Sequence, residues 1–234
     1  MRLFIVRHAE PDYEKDGLTP QGHRESQALC RRMESLRPDR LYVSPLGRAR
    51  ATCRYTEEAL GKTAEVLDWV KERSDWREEV PPWGLRVAWD IPGEVIREKV
   101  PPPLYQDWPD LAPLKGKGYL ERYESLRRES DLFLEGLGYR REGGRYRILR
   151  SNREKVAVFC HGGFGLTWLA HLLEMPLALV WSGFWLAPSS ITTVLFDEAS
   201  TDWAIPRCVG LCDLSHLYLD RIPVSTHGLR DNLE

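Results

Sequence analysis

Residues 1–13 read MRLFIVRHAEPDY, and the junction inside this stretch decides the fold. Leu3, Phe4, Ile5 and Val6 form an unbroken apolar run that stops at Arg7 and His8. A short apolar run closed by charge reads as a buried strand that ends in a polar loop. In an open α/β sheet the loops after strand C-termini are where ligands bind. Arg7 and His8 therefore make a candidate site floor, set against the plainer reading of a polar cap on an edge strand.

The pattern recurs far downstream. KVAVFCHGG, residues 155–163, holds a second buried-type strand from Val156 to Cys160 that ends in His161 and two glycines. Between the two lies RLYVSPLGRAR, residues 40–50. Its short strand, Arg40 to Val43, runs into Ser44-Pro45, which reads as a cap and a proline opening a helix that stops at Gly61. Arg48 then falls in the first turn of that helix. Parallel strands deliver their ends to one edge, so two arginines, two histidines and at least two helix N-termini gather there. Helix N-termini and the planar arginine fork both favour phosphate-like anions. The chain has no Lys-Ser/Thr phosphate loop, which argues against a nucleotide triphosphatase.

The rest of the chain supports an α/β class with a largely parallel sheet. Thr19-Pro20 marks a helix start that runs to about Leu36, and TAEVLDWV, residues 63–70, reads as another strand. The stretch from Tyr119 to Gly138 carries one apolar helical face, YRREGGRYRIL a hairpin around Gly143-Gly144, and the residues from Phe164 to Leu173 a helix. SSITTVLFDE reads as a strand and CVGLCD as a last short one. From about residue 74 to 118 the character changes: half of the 16 prolines lie between Pro81 and Pro113, and five of the nine tryptophans between Trp69 and Trp108. Such proline density excludes long regular elements, and the aromatic content argues against disorder. The segment is expected to be an ordered, irregular lid.

Composition narrows the function. A formal charge of −2 argues against a dedicated nucleic-acid binder, and the arginines from Arg140 to Arg153 read as a solvated hairpin. The five cysteines are odd in number and form no Cys-x-x-Cys pair, so free thiols in a reducing cytoplasm are expected rather than disulfides or zinc. No secretory signal or membrane span is expected. Oligomeric state is not legible.

RHAE at residues 7–10, SPLGRAR at 44–50 and CHGG at 160–163, with the weaker landmarks GLTPQG and DLSHL, resemble the histidine phosphatase superfamily, also called phosphoglycerate mutase-like. The resemblance implies a three-layer sandwich with a mostly parallel central sheet flanked by helices, here one domain over 1–234 with a lid insertion at about 74–118. It implies a phosphatase acting on phosphomonoesters, with His8 as the nucleophile that carries the phosphoryl group. Arg7, Arg48 and His161 would bind the phosphoryl oxygens, with His161 protonated. No cofactor and no metal would be needed. The leaving alkoxide needs an acid. Glu72 fits best, with Asp75, Glu78 and Glu79 as rivals. The substrate would be a small phosphorylated molecule or a phosphopeptide. The loop after His8 is shorter than in the mutase branch and lacks its asparagine, which favours hydrolysis over a phosphoglycerate mutase-type transfer. A non-catalytic phosphate-binding relative is the third reading. His23, His171 and His216 are expected to be structural, and Cys160 an inert thiol.

Overall fold

β1 (Arg2–Arg7), the strand that opens the chain, lies inside an eight-stranded sheet. The computed structural model describes residues 1–98, 100–101 and 107–229. After β1 come β2 (Pro11–Asp12), β3 (Gly17–Leu18), α1 (Pro20–Leu36), β4 (Arg40–Val43), α2 (Gly47–Leu60) and β5 (Glu65–Val66). The next segment holds β6 (Arg77–Val80), β7 (Gly84–Val87) and α3 (Gly93–Arg97), followed by α4 (Tyr119–Gly136). The chain continues through β8 (Tyr139–Glu142), β9 (Arg145–Ile148), β10 (Lys155–Cys160), α5 (Gly162–Leu172), α6 (Leu177–Gly183), β11 (Ile191–Asp197), β12 (Trp203–Asp213) and α7 (Ser215–Leu219).

The sheet order is β5-β4-β10-β1-β11-β12-β9-β8. From β5 to β1 neighbours run parallel, and from β1 to β8 antiparallel. Both faces of the parallel half are covered, which is why its strands read as continuous apolar runs. Leu3 and Ile5 join Val156 and Val158 in the core that also holds Leu126 and Leu134 of α4 and Trp168 of α5. Phe4 and Val6 join Ala157 and Phe159 against Leu29 of α1 and Cys53 of α2. The three layers follow from that alternation.

Trp168 is the largest fully buried side chain of α5 and meets Trp69 edge-on, with ring centroids 5.3 Å apart. Its indole N–H donates to Ser130 Oγ at 2.7 Å. Trp168→Ala would empty this position and orphan the hydroxyl. It is expected to cost about 3–5 kcal/mol, read as a lowered urea midpoint.

Three local expectations change. TAEVLDWV is a strand for two residues only. Leu67, Trp69 and Val70 all pack on the core, which a two-residue alternation cannot do, and a single 3₁₀ turn at Asp68–Val70 achieves it. CVGLCD belongs to a much longer strand, β12, which pairs with β11 across bulges near Thr193. Pro206 hid it, yet that residue sits opposite Phe196 with the antiparallel pairing intact. Ser44-Pro45 does not cap α2. Leu46 is the N-cap residue and makes no side-chain cap, and Asp16 of the β1–α1 loop accepts from Gly47 N at 2.6 Å instead.

The proline-rich stretch is built as expected from short pieces. β6 and β7 form a hairpin, and Trp76 and Trp108 are buried against Trp181 of α6 with ring centroids 5.9 Å apart in each case. Of the expected lid, residues 99 and 102–106 lie outside the described residues. At the far edge the hairpin arginines face carboxylates, Arg140 with Glu135 and Arg147 with Glu142, each at 2.8 Å. No helix among the described residues is long and apolar enough to cross a membrane.

Candidate active site

Three parallel strands end at one place. β1 delivers Arg7 and His8, β10 delivers His161, and β4 delivers Ser44. The backbone locks them in register: His8 N donates to the Cys160 carbonyl at 2.9 Å, and Ser44 N to the Phe159 carbonyl at 2.9 Å. The ring centroids of His8 and His161 lie 5.2 Å apart, and both rings are buried.

The two histidines are prepared differently. His8 Nδ1 lies 2.7 Å from the carbonyl oxygen of its neighbour Ala9. A carbonyl only accepts, so Nδ1 carries the proton and Nε2 keeps its lone pair. Burial, then Arg7, pushes the His8 pKa well below the usual imidazole value, so the ring is neutral at pH 7. His161 is the N-cap residue of α5. Its Nε2 sits 2.7 Å from Ser44 Oγ, while its buried Nδ1 has no protein partner. Burial, then His8 and Arg48, lowers its pKa well below the usual value too.

Both arginines are buried and tethered. Arg7 Nη1 donates to the Leu186 carbonyl, and Nη2 to the His227 carbonyl at 3.3 Å. Arg48 Nη1 pairs with Asp16 Oδ1 at 2.6 Å, and its guanidinium lies 5.2 Å from the centre of the Tyr13 ring. Tyr13 in turn faces the His227 ring, centroid to centroid 5.2 Å. In both arginines Nε is buried and unpartnered. A methyl group on Gly162 would come within 3.2 Å of Arg7 Nε, which places that atom beside the first turn of α5.

Glu72 reaches the same turn. Its Oε1 accepts from Phe164 N at 2.8 Å and its Oε2 from Gly163 N at 3.1 Å. Burial raises its pKa above the usual carboxyl value, against the pull of those two amides and of Arg7 and Arg48. The rivals point elsewhere. Glu78 pairs with Lys117 at 3.2 Å, Asp75 with Arg122 at 3.5 Å, and Glu79 is exposed in the β6–β7 hairpin. Of the four carboxylates, Glu72 is the one brought to α5.

The remaining candidates are braces or filler. His23 Nδ1 sits 2.9 Å from the Tyr55 hydroxyl, and buried His171 bridges Asp131 and Arg127. His216 Nε2 lies 3.3 Å from Ser189 Oγ, and Ser189 N donates to the His8 carbonyl at 3.0 Å. The DLSHL landmark thus steadies the strand end that bears His8. Burial pushes the Cys160 thiol up, so it stays protonated. Asp16, Tyr13, Ser44 and His227 were not singled out from sequence as site residues. Ser44 was read as a cap, and the others lie in loops whose closure no local pattern announces.

A family-wide sequence profile, that of the histidine phosphatase superfamily (branch 1), matches residues 3–206. No curated protein matches the chain in sequence. Among solved structures, the chain resembles a phosphoserine phosphatase from Entamoeba histolytica in complex with 3-phosphoglyceric acid. That match has a TM-score of 0.62 at 20% identity and covers 92% of this chain and 98% of the other. The mycobacterial glucosyl-3-phosphoglycerate phosphatase with inorganic phosphate gives 0.57 at 18%, again over 92% and 98%. The alpha-ribazole phosphatase of Shigella flexneri gives 0.55 at 19%, over 92% and 97%. These likenesses are of fold, and the profile spans most of the chain, so with RHAE, SPLGRAR and CHGG meeting at one sheet edge, this protein belongs to branch 1 of the histidine phosphatase superfamily.

Proposed function

We propose that this protein hydrolyses phosphomonoesters, without a metal, through a phosphohistidine formed on His8. One observation carries the reading. Arg7 Nε and Arg48 Nε are buried donors without protein partners, His161 Nδ1 is a buried ring nitrogen without one, and His8 between these groups is neutral with its Nε2 lone pair uncommitted. Leaving a buried donor unsatisfied costs about 1–3 kcal/mol. A tetrahedral oxyanion would satisfy all three at once.

The proposed steps use these groups in turn. His8 Nε2 attacks phosphorus, the P–N bond forms as the ester P–O bond breaks, and protonated Glu72 gives its proton to the departing oxygen. Water then attacks the phosphohistidine, Glu72 takes back a proton, and the P–N bond breaks to release phosphate. Arg7, Arg48 and His161 hold the equatorial oxygens throughout. His161, neutral beside two arginines, gains its proton only when a phosphate dianion supplies the countercharge. Asp16 on Arg48 sets a carboxylate against any second phosphorylated acceptor, which favours water over a mutase-type transfer. The bonding of Glu72 to α5 speaks for turnover rather than mere phosphate binding.

The substrate on this reading is a small phosphorylated metabolite or a phosphopeptide, handled in the cytoplasm by a chain whose five thiols are all free. We read residues 1–234 as one domain in which the segment at 74–118 is its lid. The test is hydrolysis of p-nitrophenyl phosphate by protein dialysed against excess chelator. Undiminished activity is expected. Loss that magnesium, manganese or zinc restores overturns the mechanism.

A further inference from the structure

His8 and His161 are both buried, and in each ring one nitrogen already has a partner. The partners differ in kind. His8 Nδ1 faces the Ala9 carbonyl, which only accepts, so the free nitrogen of His8 is a lone pair. His161 Nε2 faces Ser44 Oγ at 2.7 Å, and a hydroxyl can either donate or accept. The direction of that one hydrogen bond decides whether the free Nδ1 of His161 is an N–H or a lone pair.

The proton count on Ser44 gives the direction. Ser44 is fully buried. The Leu46 N–H, 3.3 Å away, donates to Oγ and takes one of its lone pairs. Among the described residues the hydroxyl has no further hydrogen-bond partner, so its own proton has one place to go, Nε2 of His161. In the opposite arrangement Nε2–H would donate to Oγ. That would bury the hydroxyl proton unpaired, at a cost, and would turn a bare lone pair of Nδ1 on any bound anion. Ser44 is fixed for the task by the strand beside it. Its N–H donates to the carbonyl of Phe159, two residues before His161, at 2.9 Å.

We propose that Ser44 is a positioning residue: its hydroxyl donates to His161 Nε2, holds the ring proton on Nδ1, and so makes that nitrogen a hydrogen-bond donor to a phosphoryl oxygen. The use of this donor rests on the phosphatase reading above. When a bound dianion brings a second proton to the ring, the same hydroxyl turns and accepts from Nε2–H. A carbonyl or carboxylate in its place could only accept, and would fix the opposite tautomer from the start. A carbonyl partner thus makes His8 a nucleophile, and a hydroxyl partner makes His161 a donor.

The test reads the tautomer directly, by ¹H–¹⁵N correlation spectra of the imidazole rings in labelled, phosphate-free protein at neutral pH. The His161 signals are assigned by their loss in H161Q. Nδ1 is expected to carry the proton, and in S44A the proton should move, wholly or in part, to Nε2. A His161 that carries its proton on Nε2 in the unaltered protein, or keeps it undiminished on Nδ1 in S44A, overturns the proposal. Kinetics give a second readout. S44A should lower kcat/KM for p-nitrophenyl phosphate by about tenfold or more, and should lower it no further in a chain that already carries H161A. An equal loss in both backgrounds means that Ser44 does not act through His161, and overturns the proposal while leaving the phosphatase reading intact. If the unaltered protein does not hydrolyse p-nitrophenyl phosphate, the phosphatase reading fails instead, and the ring spectra still decide the role of Ser44.

Discussion

His8→Ala is expected to lower turnover on the order of 10⁴-fold or more and to abolish covalent labelling by a phosphoryl donor. The reason is the division of labour between the strand-end rings. His8 spends Nδ1–H on the Ala9 carbonyl and keeps Nε2 as a lone pair, while His161 is set against Ser44 with Nδ1 left over. Rapid quenching of the unaltered protein should trap an acid-labile, base-stable phosphoryl group, the signature of a P–N bond. Mass spectrometry should place it on His8. His161→Ala should slow labelling without moving the label. A label on His161, or on Cys160 beside it, would refute these roles even if the protein hydrolyses phosphate esters.

Glu72→Gln is expected to cost about 10²-fold or more on an alkyl phosphate and much less on an aryl phosphate, because a good leaving group needs no proton. The pH profile carries the same information. His8 must be neutral, and its depressed pKa sets a rising limb below the usual imidazole value. Glu72 must be protonated, and its raised pKa sets a falling limb above the usual carboxyl value. On alkyl phosphates kcat/KM should therefore decline as pH rises through the raised Glu72 pKa. In Glu72→Gln that decline should vanish while the rising limb stays. Equal losses on both ester types would return the role to Glu78, Glu79 or Asp75.

The legible parts of this molecule are those in which short-range sequence and long-range structure demand the same thing. Leu3–Val6 and Val156–Cys160 read as buried strands because they are covered on both faces, and their ends announced the site because charge follows apolar residues abruptly. Thr19-Pro20 opened α1 as read, with Thr19 accepting from Gly22 N. Legibility failed where a distant segment does the local work. Asp16 caps α2 across the loop, while Ser44 Oγ accepts from Leu46 N at 3.3 Å and meets His161. The 3₁₀ turn at Asp68–Val70 answers to the core above it and not to any strand propensity of its own. Glu72 could be nominated from the sequence, but only the amides of Gly163 and Phe164 separate it from its neighbours.

The tether between Arg7 and the His227 carbonyl has a consequence for biosynthesis. The residue that braces the arginine lies 220 positions further along the chain. A growing polypeptide therefore cannot make this brace on Arg7 until the chain through His227 has been synthesised. Until it is made, the Arg7 guanidinium lacks one of its two carbonyl acceptors.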